Sequence, residues 1–161
     1  MARIAKIKYN DASNTPGICV SLWMQGCPFR CKGCHNPETW DFNGGAYIDD
    51  TKLSEIIIES ISTNKVMRNF AILGGEPLCN NNVDSVSFII SKVREKYPDI
   101  KIYLWTGYLL EDLQERAKTE SSIKSILDNI NCLIDGQFEI DKRDLTLELR
   151  GSSNQRIFTF R

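Results

Sequence analysis

The sequence predicts an α/β fold with a mostly parallel sheet, arranged as a partial, open (β/α) barrel. Three observations carry this expectation. Strand-like and helix-like segments alternate along the chain, the order that builds parallel strands with helical crossovers. Phe70-Ala71-Ile72-Leu73 is a short, continuous apolar run, as expected of a buried parallel strand. The chain of 161 residues suffices for one domain, 1–161, and is too short for a complete eight-fold barrel.

The elements follow in order. Ile18 to Met24 reads as a strand, and it runs into an irregular stretch over 26–50 that is rich in Gly, Pro, Asn and Asp. A loop this long in a compact domain is usually functional. Leu53, Ile56, Ile57 and Ile61 then fall on one helical face. Phe70 to Leu73 is an apolar strand ended by Gly74-Gly75. Val83, Val86, Ile90, Val93 and Tyr97 mark a second amphipathic helix, closed by Pro98. Ile102 to Trp105 is the next strand, ended at Thr106-Gly107, and Leu109 to Ala117 and 121–129 read as helices. Cys132-Leu133-Ile134 is a buried strand ended at Asp135-Gly136, and Arg156 to Phe160 reads as a last strand.

Composition narrows the function. Apolar residues at 42% and charged residues at 25% describe an ordinary globular chain. A net charge of −1 gives no broad attraction to nucleic acid or to a membrane surface. No apolar run approaches the ~18 residues of a spanning helix. The start, Met1 to Lys6, lacks the apolar stretch and cleavage site of a signal peptide, so a cytoplasmic location is expected. Thiols stay reduced there. Six cysteines therefore argue for metal or redox chemistry and against a disulfide framework.

Three of those cysteines lie within eight residues, Cys27-Pro28-Phe29-Arg30-Cys31-Lys32-Gly33-Cys34. Iron–sulfur clusters held by protein alone normally take four thiolates. Three thiolates hold three irons of a cubane and leave the fourth open, which is what a site keeps when an outside molecule must bind. The competing reading is zinc, with His35, Cys19, Cys79 or Cys132 as fourth ligand. Zinc sites usually show paired Cys-x2-Cys or Cys/His units set well apart, and here only Cys31 and Cys34 have that spacing. The spacing favours iron–sulfur. Cys79 and Cys132 read as small apolar core residues, and Trp105 as a filler of the barrel.

The cysteine loop, Gly74-Gly75-Glu76-Pro77, Trp105-Thr106-Gly107 and Asp135-Gly136 each follow a strand. Parallel α/β folds place active sites at the carboxyl ends of their strands. Four separate signals thus converge on one rim. Two glycines alone would make only a turn, but beside an open cluster they let backbone approach a ligand, and Glu76 offers a carboxylate to an ammonium group. The polar run Arg150 to Gln155 has the hydrogen-bonding density of a cover or docking surface. No catalytic triad or acid/base pair is apparent.

Cys-x3-Cys-x2-Cys with a later Gly-Gly-Glu resembles the radical S-adenosylmethionine superfamily. Within it, Gly26-Cys27-Pro28, Cys34-His35-Asn36-Pro37-Glu38-Thr39-Trp40, Gly74 to Leu78, Trp105-Thr106-Gly107-Tyr108, Asp135-Gly136 and Arg150 to Gln155 occur in the order seen in anaerobic ribonucleotide reductase activating proteins. The resemblance covers nearly the whole chain. It implies a radical SAM type of barrel and a 4Fe–4S cluster on Cys27, Cys31 and Cys34. It implies S-adenosylmethionine contacts at Gly33, Cys34, His35 and Gly75, with Glu76 at the methionine amino group. It further implies reductive cleavage of S-adenosylmethionine and a glycyl radical raised on the large subunit of the anaerobic reductase. The implied electron source is a flavodoxin-like donor. An activase of another glycyl radical enzyme, or a small peptide-modifying radical enzyme, is the alternative.

The chain departs from that family at one place. The usual Asn/Asp-Gly-Pro-Gly-x-Arg is here Asn14-Thr15-Pro16-Gly17-Ile18-Cys19. Thr15 enters positive φ less freely than glycine, and Cys19 lacks an arginine's charge and donor fork. Arg3, Lys6 and Lys8 are the cations nearest in sequence.

Overall fold

A computed structural model describes all residues, 1–161. Seven strands form one open sheet: β1 (Ala2–Asp11), β2 (Cys19–Met24), β3 (Ala46–Ile48), β4 (Asn69–Gly74), β5 (Ile102–Trp105), β6 (Cys132–Asp135) and β7 (Arg156–Thr159). Their spatial order is β3-β1-β2-β4-β5-β6-β7. The centre, β2-β4-β5-β6, is parallel, whereas β3, β1 and β7 are antiparallel to their neighbours. The sheet is thus mixed, with a parallel heart, and it does not close.

Helices α1 (Asp50–Ile61), α2 (Val83–Lys96), α3 (Leu110–Arg116) and α4 (Ser121–Asn129) cover one face. All four contribute to a single cluster of 25 buried residues, together with Val20, Leu22 and Met24 of β2, Phe70 and Ile72 of β4, and Ile102 and Leu104 of β5. Side chains alternate along a strand, so Cys19, Trp23, Ala71 and Leu73 face the other way, where they form a separate group of four. Asp49 caps α1 by accepting from the Lys52 amide at 3.1 Å. Of the apolar positions expected on α1, Leu53, Ile57 and Ile61 are fully buried and Ile56 is half-buried. Arg94 fastens the far end of the sheet, donating to the carbonyls of Pro98, Ile100 and Asn129 and to Asn131 Oδ1.

Two strands go beyond the sequence expectation. β3 lies inside the 26–50 stretch and adds an edge to β1. β1 carries a bulge: Ile4 pairs with Met24 but Lys6 pairs with Trp23, leaving Ala5 as an extra residue. Ile4 and Ile7 therefore both join the helix-side core although they are three residues apart. No helix is long and apolar enough to cross a membrane.

Candidate functional site

The face without helices holds a cavity of about 590 Å³. Cys27, Cys31 and Cys34 line it from the loop that leaves β2, and all three are free and half-buried. Arg30 at φ 49° and Gly33 at φ 76° give the loop two left-handed bends that curl it over the cavity. The loop is stapled at its base: the Gly26 amide donates to Thr39 O at 2.7 Å, and Gln25 Nε2 donates to the carbonyls of Glu38 and Asp41.

Burial pushes the Cys27 thiol up, against amides of Phe29 and Arg30 that favour its thiolate. Burial likewise raises Cys31, opposed by the Phe138 amide. Cys34 Sγ accepts from the Asn36 amide at 3.4 Å. No three cysteine, histidine or carboxylate side chains converge tightly enough to hold a single metal ion. A cubane instead puts each thiolate on its own iron. Three separate thiols on one cavity wall fit that need.

Gly74 and Gly75 run against the cysteine loop. A Cβ on Gly75 would fall 2.4 Å from Gly26 O, and one on Gly74, at φ 112°, 2.5 Å from the Met24 nitrogen. What the glycines approach is therefore the backbone that carries the cysteines, while Gly75 also lines the cavity. Glu76 follows, only 1% exposed. Its Oε1 accepts from the Leu78 amide at 2.9 Å and Thr106 Oγ1 at 2.7 Å, and its Oε2 from the Gly107 amide at 2.7 Å. Burial pushes its pKa up to about 7 despite these donors. Gly107 in turn leaves room for Phe29, whose ring sits edge-on to Tyr108 at 4.9 Å. The turns after β2, β4 and β5 are thus locked to one another.

His35 lines the cavity with its ring 5.2 Å from that of Phe138. Gly33 does not line it; a Cβ there would fall 2.3 Å from Ile140 Cδ1. Cys79 and Cys132 are buried, as expected of core thiols. At the two family departures, the Thr15 hydroxyl donates to Pro16 O at 3.3 Å, and burial pushes the Cys19 thiol up to about 11, with Thr15 opposing the shift. Thr15 has no positive φ, so that backbone position needs no glycine, whereas Gly17 sits at φ 76°.

Several lining residues were not apparent as site residues from sequence. Leu145, Leu147 and Leu149 form a cover, and Trp105, beyond filling space, donates its indole N–H to Leu149 O at 2.8 Å. Their Leu-x-Leu-x-Leu spacing was the available signal. Gln155 anchors the cover, accepting from the amides of Gly151 and Ser152 and donating to Gly136 O. Lys6 and Lys8 line the opposite side.

A family model described as a 4Fe-4S single cluster domain matches residues 13–158. The chain is 34% identical over 151 residues to the anaerobic ribonucleoside-triphosphate reductase-activating protein of Haemophilus influenzae, covering 94% of each. The chain belongs to this family. The family's Escherichia coli protein of the same name is 34% identical over 145 residues, 90% of each chain. That of Enterobacteria phage T4 is 32% identical over 150 residues, 92% of this chain and 88% of its own. Every lining residue except Lys6 and Lys8 falls within the matched 4Fe-4S domain.

Proposed function

We propose that this chain is a radical S-adenosylmethionine activase that raises a glycyl radical on an anaerobic ribonucleoside-triphosphate reductase. One observation carries the reading: three free cysteines on one loop share a cavity with Gly75 and Glu76. The relatives' names supply the target. Residues 1–161 act as one domain, a partial (β/α) barrel of the radical SAM type, in the cytoplasm. The electron comes from a flavodoxin-like donor.

Cys27, Cys31 and Cys34 hold the cluster, each through one thiolate. Bound there, a 4Fe–4S cluster supplies one-electron cleavage of S-adenosylmethionine to methionine and a 5′-deoxyadenosyl radical, which takes a hydrogen from a glycine Cα of the reductase. The chain's own residues position and shield. Backbone at Cys34 and Gly75 brackets S-adenosylmethionine, His35 packs beside it, and Gly33, which does not line the cavity, serves as the bend behind Cys34. A carboxylate offers about four lone-pair sites. Glu76 uses three on the rim, and the fourth takes the methionine ammonium. The leucine cover limits water above the reacting atoms.

Anaerobic reconstitution with iron and sulfide, then reduction with S-adenosylmethionine present, tests this. The expected products are 5′-deoxyadenosine and, with the reductase added, a glycyl radical EPR signal. A sound 4Fe–4S cluster that cleaves nothing overturns the reading.

A further inference from the structure

The bulge at Ala5 sets the direction of the rest of β1. Beyond it, Lys6 pairs with Trp23 and Lys8 with Ser21, so both lysines stand on the cavity side. Their Nζ atoms lie 4.7 and 5.1 Å from the centroid of the Trp23 ring. Both side chains are exposed at the cavity mouth. Neither takes part in any ion pair.

The nearby carboxylates are engaged elsewhere. Asp11, on the same strand, accepts from the Ser13 amide and hydroxyl, Asn14 Nδ2 and Ser21 Oγ. Glu76 is the only carboxylate lining the cavity, and three donors hold it. Asp144 and Glu148 of the cover do not line it, whereas Arg150 adds a third cation. The open side is therefore positive, with no internal counter-ion.

We propose that Lys6 and Lys8 together dock an acidic side chain of the polypeptide segment that carries the target glycine. This rests on the function proposed above. Both ammonium groups lie within about 5 Å of the Trp23 ring centroid, so a carboxylate placed over that ring is attracted by both. Lys6 stands opposite Trp23 and Lys8 opposite Ser21, one and three residues before Met24, so the pair runs back from the rim by about 3 to 10 Å along the strand. A carboxylate bound between them lies behind the rim, a placement that suits an incoming chain better than S-adenosylmethionine at the rim itself. The apolar Leu145-Leu147 wall faces the rest of such a segment.

The test uses reconstituted full-length protein with dithionite as reductant and the anaerobic reductase of the same cell as substrate. Two quantities are read: 5′-deoxyadenosine formed without reductase, with its KM for S-adenosylmethionine, and glycyl radical formed with reductase. The double variant K6E/K8E is expected to raise the KM for reductase about tenfold or more at low salt, with the KM for S-adenosylmethionine unchanged. K6R/K8R should stay near wild type. Rising salt should weaken wild-type coupling and leave K6E/K8E little affected. K6Q/K8Q and a thermal melt guard against a folding defect. Unchanged reductase KM overturns the proposal. So does an equal rise in the KM for S-adenosylmethionine, which would assign the lysines to the cofactor. Absence of 5′-deoxyadenosine from the wild type overturns both this and the proposed function.

Discussion

The Glu76 carboxylate accepts the Gly107 amide at 2.7 Å, tying the turn after β4 to the turn after β5 across 31 residues of sequence. The same carboxylate holds Thr106 and Leu78. One buried acid thus fixes the spacing of two adjacent rim turns, and the Gly75 and Glu76 amides tie them to Met24 and Gly26 on the cysteine side.

Glu76 makes the stability of the cluster-free protein pH-dependent. Its pKa is about 7 in the fold against an ordinary 4.5. A raised carboxyl pKa means that the folded state binds the proton more tightly. Its stabilising contribution is full below about pH 4.5 and is lost as pH rises through about 7. Melts of the protein from about pH 5 to about pH 8 should show a loss on the order of 3 kcal/mol. Glu76→Gln should flatten that slope; an unaltered slope in the variant would assign it to other groups.

Removing the acceptor separates two roles. Glu76→Ala leaves the Gly107 and Leu78 amides without their partner, costing about 1–3 kcal/mol. Its cluster iron should be retained while the affinity for S-adenosylmethionine falls. Cys31→Ala should do the reverse, keeping the fold, since the residue is only half-buried, and losing the 4Fe–4S absorbance and all 5′-deoxyadenosine. Iron analysis, a melt and isothermal titration on both variants check the pair. Unchanged affinity in Glu76→Ala would refute the ammonium contact.

Gly75→Ala tests the close approach to the cysteine loop. Its methyl group would meet the Gly26 carbonyl, which is backbone and cannot swing away. Overpacking of this kind costs about 1–3 kcal/mol. The expected result is a lower melting temperature together with incomplete iron incorporation. A variant of wild-type stability would mean that the two turns separate easily.

Trp105→Phe removes the latch on the cover. Leu149 sits at φ 58°, a conformation that a leucine seldom adopts, and the indole hydrogen bond to its carbonyl helps to hold it there. Loss of the bond should cost about 1 kcal/mol. Limited proteolysis should then cut within 144–150 faster than in wild type, with the helical core unaffected. Equal cutting rates would place the restraint on Gln155 alone.

The parallel heart of the sheet was legible in the sequence because β2, β4, β5 and β6 lie inside the fold and read as largely apolar runs, interrupted in β2 by Ser21 alone. β1 was not. Its bulge places Ile4 and Ile7 on one face at a spacing of three, so the strand period is broken exactly where it would be sought in the chain's first residues. β3 is three residues long and mostly exposed, too little for any pattern. That the cysteines, Gly75 and Glu76 share one cavity was legible, since each motif directly follows a strand and so falls on the same rim. The contacts of Glu76 with Thr106 and Gly107 were not, because they depend on two turns meeting in space. Lys6 and Lys8 were visible only as nearby cations; their common side and their shared Trp23 come from strand register.

The sheet's failure to close has a consequence under the proposed function. A carbon radical generated on the cavity face is shielded by the leucine cover on one side, and on the other only by Lys6, Lys8, Ser13 and Asn14, where β1 runs on beyond its pairing with β3. The reductase must supply the missing wall. The free protein would then be a leaky vessel, in which cleavage ends in quenching by solvent or buffer, and the complex a sealed one. Fidelity would be a property of the assembled pair, and its yardstick the number of glycyl radicals stored per S-adenosylmethionine consumed.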